Sequence, residues 1–194
     1  MSLGKQAKVL SKAQVDATFQ YLGDRRNGLR NQTILLLSVR AGLRAKEIAG
    51  LTWSMLLDAN GEISDHINLT NEAAKGSSGR TIPINKSLRQ VLIQLWVQSD
   101  QRADAHVIQT ERSPRTSAQA IVNLFQSWYR ALGFIGCSSH SGRRTFITNA
   151  AKKISTVGGS LRDVQFLAGH SSLQTTQRYI EGDSDARRRV VELL

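Results

Sequence analysis

LAGHSSLQTTQRYI, residues 167–180, is the stretch on which the reading of this chain turns. An apolar-periodic run over 160–168 predicts a helix, and Gly169 stops it, because glycine enters the left-handed conformation that closes helices without the penalty of a Cβ. A second helix is predicted over 172–181, with Tyr179 near its end. Taken singly, His170 is an imidazole satisfying carbonyls at a helix end, and Tyr179 is a half-buried packing residue. Their weight comes from what precedes them along the chain.

Just upstream, His140 and Arg143 stand three residues apart at the start of a helix predicted over 141–153, on one side of its first turn. A helix N-terminus offers unpaired backbone N–H groups, so a phosphate fits there chemically. In the middle of the chain Asn60-Gly61 marks a turn, and the runs 62–69 and 80–84 alternate apolar and polar residues. Lys75-Gly76-Ser77-Ser78-Gly79 lies between those runs, which predicts a small antiparallel sheet whose connecting turn carries Lys75. Helices are predicted over 86–99 and 117–132, with a short strand at 106–109 between them. Further towards the N-terminus, residues 1–10 read as a tail leading to Ser11 as a helix cap, followed by a helix over 12–22 and a polar loop from Gly23 to Gly28. The apolar stretch Ile34 to Val39 reads as a buried helix ending near Gly42, and 44–51 as a short helix beyond it. The sum is a mainly α domain with one small antiparallel β-sheet, an α+β fold, without internal repeats.

Composition narrows the function. Lysines and arginines outnumber acidic residues 26 to 15 and give a formal charge of +11, which calls for a polyanionic partner. No stretch approaches the roughly 18 to 20 apolar residues of a bilayer span, and no signal peptide is recognisable, so the chain reads as soluble and cytoplasmic. Its single cysteine, Cys137, reads as a small buried apolar residue and excludes an internal disulfide. His66, His106, His140 and His170 lack close-paired metal spacing, so no metal or cofactor is expected and the chemistry falls to side chains alone.

Arg44 opens a helix with Glu47 three residues on, which alone reads as a surface ion pair, and Lys75 alone reads as a solvated charge. Together, two arginines, a lysine and two histidines supply the donors that a pentacoordinate phosphate needs, and Tyr179 supplies an oxygen nucleophile. A phenol with pKa near 10 is a weak nucleophile at neutral pH, so neighbouring positive charge must favour the developing phenolate.

These residues also carry a family resemblance. AGLRAKEIAGLTW (41–53) resembles the first arginine box of the tyrosine recombinases, or phage integrases, and AAKGSSGRTIPI (73–84) resembles their lysine-bearing hairpin. SSHSGRRTFITNAA (138–151) is similar to their His-x-x-Arg box, and LAGHSSLQTTQRYI to their closing box with the nucleophile. The resemblance implies that Arg44 and Arg143 hold the nonbridging oxygens of a scissile phosphate in double-stranded DNA, while His140 and His170 complete the cage. It implies that Lys75 protonates the leaving 5′ oxygen, that Tyr179 becomes a 3′ phosphotyrosine, and that Glu47 supports the arrangement from behind. Such a link conserves the energy of the phosphodiester, so neither ATP nor a metal is required. Two other classes stay open: a DNA-binding module of the same fold without catalysis, and a type IB topoisomerase that relaxes supercoils.

Gly142 and Arg144 depart from the family, which usually has an apolar residue and often a histidine there; Gly142 is expected to loosen the helix start by about 1 kcal/mol relative to alanine. Residues 11–182 match a catalytic domain, with the family's N-terminal core-binding domain absent, so the chain is either a fragment or a short enzyme. Residues 183–194, ending SDARRRVVELL, read as a tail helix that packs on its own core or, by resemblance, docks on a neighbouring protomer of a tetramer assembled on paired DNA sites. Arg25, Arg26, Arg30, Lys46, Lys86, Arg112, Arg115 and Arg144 are candidates for flanking phosphates.

Overall fold

Other helices and a two-stranded sheet pack around one long buried helix in the computed structural model, which describes residues 7–74, 78–179 and 191–192. That central helix is α2, Gly28–Arg40, with Ile34, Leu35, Leu36, Leu37 and Val39 all buried. A helix apolar on every side has nowhere to go but the interior. Helix α1, Lys12–Gly23, packs against α2 and begins at Ser11, whose hydroxyl accepts from the Gln14 N–H at 3.1 Å while the Gln14 side chain accepts from the Ser11 N–H at 3.0 Å. The segment before it is docked: the Lys8 N–H donates to the Gly136 carbonyl, and the Leu10 N–H donates to the Thr145 hydroxyl at 2.8 Å.

After α2 the chain turns at Gly42, whose φ of +67° and contact with Phe146 leave no room for a side chain, into the short α3, Ala45–Gly50. A 3-10 turn at Trp53–Met55 leads to β1, His66–Leu69, and β2, Arg80–Pro83, which pair antiparallel with Ile67 opposite Ile82 and Leu69 opposite Arg80. Helix α4, Lys86–Val97, lies against α2, and α5, Ala118–Ala131, buries Ile121, Phe125, Trp128 and Tyr129 beside α3. The strand expected at 106–109 is not formed: His106 makes one isolated bridge to Thr52, because the partner chain bends into the 3-10 turn one residue later. Cys137 is half-buried rather than buried.

The last third builds a second, smaller cluster. Helix α6, Ser141–Lys153, contributes Ile147, and α7, Leu161–Ala168, contributes Val164 and Ala168, with Phe146, Ile154 and Tyr179 packed around them. Gly142 has a packing role that its helix propensity does not reveal. A Cβ built there would sit 2.2 Å from Ser38 Oγ, so the glycine lets α6 lie directly on α2 and joins the two clusters. Helix α8, Leu173–Gln177, ends earlier than expected, with Arg178 and Tyr179 in a turn. The tail helix expected at 184–192 lies outside the described residues apart from Val191 and Glu192. No helix among the described residues is long and apolar enough to cross a membrane.

Candidate active site

The site occupies the seam between the two clusters. Glu47, fully buried in α3, is its anchor. Its Oε1 accepts from Arg44 Nη1 at 2.7 Å and from Arg80 Nη1 at 3.1 Å. Its Oε2 accepts from the Arg44 backbone N–H at 2.8 Å and from Arg80 Nη2 at 3.2 Å. Burial alone would push this carboxyl up, but hydrogen bonds and charge from Arg80, then Arg44, outweigh it and hold the group below the usual carboxylate range. The Arg44–Glu47 pair is therefore an interior one, not the surface pair its spacing suggests.

Arg143, 4% exposed, lies beneath the pocket. It donates to the Gly42 carbonyl at 2.6 Å and the Ala168 carbonyl at 2.5 Å, so α6 is tied to both the α2–α3 turn and the end of α7. Burial and then the charge of Arg44 pull its pKa down to about 10, which leaves it a cation at neutral pH. His140, at the position just before α6, is exposed above it.

Gly169 ends α7 in the left-handed conformation, φ +59°, and the His170 N–H folds back to the Gln165 carbonyl at 3.1 Å. His170 Nδ1 lies 2.9 Å from the hydroxyl of buried Thr176, and its ring stacks on Tyr179 with centroids 5.5 Å apart. Burial, then the charges of Arg143, Arg44 and Arg80, lower its pKa to about 4, so this imidazole is neutral at pH 7. The Arg144 guanidinium carbon also sits over the phenol ring, 5.7 Å from its centroid.

One open cavity of about 800 Å³ is lined by Arg44, His140, Arg143, Arg144, His170 and Tyr179 together. Five of the expected site residues thus share one concavity, with Glu47 directly behind it. Lys75 lies outside the described residues. The flanking Ser78 and Gly79 line a second cavity of about 830 Å³ that shares Arg44 and His170 with the first. Several outlying cations are committed elsewhere: Arg26 pairs with Glu111, Arg25 covers the Tyr21 ring, and Arg30 donates to Asn31 and the Gln109 carbonyl.

Arg80 was not among the expected site residues. Its signal was present in the alternation Arg80-Thr81-Ile82-Pro83, which puts Arg80 on the same inward face as Ile82. A charge on the apolar face of a strand needs a partner, and Glu47 is that partner.

A mostly helical domain with one small sheet, arginines from two helices and a tyrosine facing one cavity define the fold of the tyrosine recombinase catalytic domain. The chain belongs to the phage integrase family, whose model matches residues 8–185. It is 32% identical over 171 residues to tyrosine recombinase XerC of Bacillus pumilus, covering 84% of this chain and 52% of that protein. Against XerC of Corynebacterium efficiens it is 32% identical over 154 residues, covering 77% of this chain and 46% of that one. The chain therefore spans about half the length of the curated relatives it matches. Among solved structures, the XerA recombinase superposes with a TM-score of 0.74 at 22% identity, over 95% of this chain and 64% of that one. The Tn1549 transposon integrase in complex with a circular intermediate DNA gives 0.73 at 20% identity, over 97% of this chain and 66% of that one. These likenesses carry the fold.

Proposed function

We propose that this chain is the strand-cleaving and rejoining domain of a site-specific DNA recombinase, with Tyr179 as nucleophile. The observation that carries the reading is the convergence on one cavity of Arg44 before α3, His140 and Arg143 at the start of α6, His170 after α7 and Tyr179 after α8. A scissile phosphate seated there meets two guanidinium groups on its nonbridging oxygens, and their charge offsets what builds up as phosphorus becomes pentacoordinate. The Tyr179 oxygen attacks phosphorus, the phenol gives its proton to solvent water, and the bond from phosphorus to the 5′ oxygen breaks. Lys75, by the family resemblance, returns a proton to that leaving oxygen. His140 and neutral His170 add hydrogen bonds to the same phosphate. The product is a 3′ phosphotyrosyl link, and attack by another strand's 5′ hydroxyl reverses the step without external energy.

Relatives crystallised with DNA, the Tn1549 integrase and a lambda integrase dimer, support duplex DNA as the partner. Residues 11–182 form the catalytic unit in this reading, working as part of a tetramer on paired sites. The test uses nicked suicide duplexes tiled across the DNA that flanks the gene, in which the nick lets the cleaved end diffuse away. Wild-type protein is expected to form an SDS-resistant protein–DNA adduct on one of them, and Tyr179→Phe to form none. An adduct that persists in the phenylalanine variant removes Tyr179 from this role.

A further inference from the structure

We infer that Arg80 is a positioning residue for strand cleavage: it shares Glu47 with Arg44, so that the Arg44 guanidinium keeps an edge free for phosphate. The inference rests on the function proposed above. Arg80 borders the adjoining cavity but does not line the one that holds Tyr179 and Arg143, and its side chain is 2% exposed, so towards that cavity it acts through other groups.

The geometry assigns it two tasks. The first concerns Glu47, whose two oxygens each take one bond from Arg44 and one from the Arg80 fork. With Arg80 in place, Arg44 meets the carboxylate through Nη1 and its own backbone N–H, while Nη2 points away to the Gly169 carbonyl at 3.4 Å. Without Arg80, a fully buried carboxylate keeps a single cation and two unused lone pairs. Arg44 can then close its fork on both oxygens, the strongest arrangement open to that pair, and leave the pocket.

The second task concerns the end of α7. A helix leaves its last carbonyls without intrahelical partners. Here the Leu167 carbonyl takes Arg80 Nε at 2.9 Å, the Ala168 carbonyl takes Arg143 Nη2, and the Gly169 carbonyl takes Arg44 Nη2. Three successive carbonyls are held by three arginines from three elements, immediately before His170. The approach is close enough that a Cβ on Gly169 would lie 2.8 Å from Arg80 Nη1.

The test compares wild type, Arg80→Met, Arg80→Lys, Glu47→Gln and the double variant Arg80→Met with Glu47→Gln, all in the full chain. Arg80→Met is expected to slow single-turnover cleavage of the suicide duplex by about 100-fold, the scale of one misplaced transition-state donor, with duplex affinity changed less than about threefold. Adding Glu47→Gln removes the stranded charge, frees Arg44 and is expected to recover at least about tenfold of that loss. Arg80→Lys keeps the charge without the fork and should fall between.

A second readout needs no DNA. In protein with 15N-labelled arginine, inorganic phosphate is expected to shift the Arg44 and Arg143 side-chain signals of wild type, to move Arg44 much less in Arg80→Met, and to regain the shift in the double variant. If Arg80→Met fails to fold, the comparison of wild type, Arg80→Lys and the double variant still decides. Unimpaired cleavage in Arg80→Met, or a double variant no better than the single one, overturns the inference. A Tyr179→Phe adduct, or wild-type arginines that ignore phosphate, overturns instead the site on which it rests.

Discussion

The arginine wall of the pocket is pinned into the interior at the seam of the two clusters, where Glu47 has every lone pair engaged and Arg143, on α6, is tied to two buried carbonyls. The tyrosine wall follows a helix of five residues, packs on a small cluster, and leaves Tyr179 half-buried beside exposed His140. Holding phosphate calls for donors fixed before the substrate arrives, since reorganising them during reaction would add to the barrier. A nucleophile must reach phosphorus and release it again, and fewer contacts suit that. Difference in burial thus tracks the difference in proposed duty.

The sharpest way to break this comparison is to remove one group from each wall. Arg143→Ala is expected to cut cleavage by about 100- to 1000-fold by loss of a transition-state donor. It should also destabilise the domain by about 1–3 kcal/mol, because the Gly42 and Ala168 carbonyls lose their donor in the interior. Tyr179→Phe should abolish the adduct with almost no change in thermal midpoint. Denaturant melts of the two variants check this, and a Tyr179→Phe protein as unstable as Arg143→Ala would contradict the contrast.

Next in size is the joint between the clusters. Gly142→Leu places a side chain where Ser38 Oγ already stands, and should cost about 1–3 kcal/mol by overpacking and push α6 off α2. Cleavage should fall with it, because α6 carries Arg143. A leucine variant as stable as wild type would mean the helices are not locked together there.

The smallest effect is in pH dependence. His170 is neutral in the fold down to about pH 4, whereas an unfolded histidine takes a proton near 6.5. The unfolded state therefore binds more protons between those values, and stability drains away as pH falls from about 6.5 to about 4. Melting wild type beside His170→Gln across that range should show the wild type losing ground as pH falls, by a modest amount because the ring is partly in water. Parallel curves would remove His170 as the cause.

Much of this was legible in the chain itself. Helix starts at Ser11 and Ser117 follow from their hydroxyls, the stop at Gly169 from its missing Cβ, and the sheet from the alternation around Ile67 and Ile82. The gathering of Arg44, His140, Arg143, His170 and Tyr179 on one cavity was legible because their order along the chain carries the pattern. What was hidden depends on partners distant in sequence. Gly142 looks like a weak helix former until Ser38 is found against it, and Glu47 looks like a surface partner until Arg80 covers its other side. The neutral state of His170 likewise comes from burial and three cations that no local window contains.

The run of carbonyls at 167–169 has a consequence for how the molecule comes into being. Arg44, Arg80 and Arg143 are all synthesised before the segment that holds them. Until α7 emerges from the ribosome, Arg44, Arg80 and Arg143 lack these three carbonyls, and neither His170 nor Tyr179 exists. α7 is the keystone: its arrival supplies the carbonyls that hold the arginines, and one short helix later comes Tyr179, the nucleophile of the proposed reaction. On the proposed function, a half-made copy can neither grip a phosphate in the working geometry nor cut beside it, and the power to break DNA arrives together with the tools to reseal it.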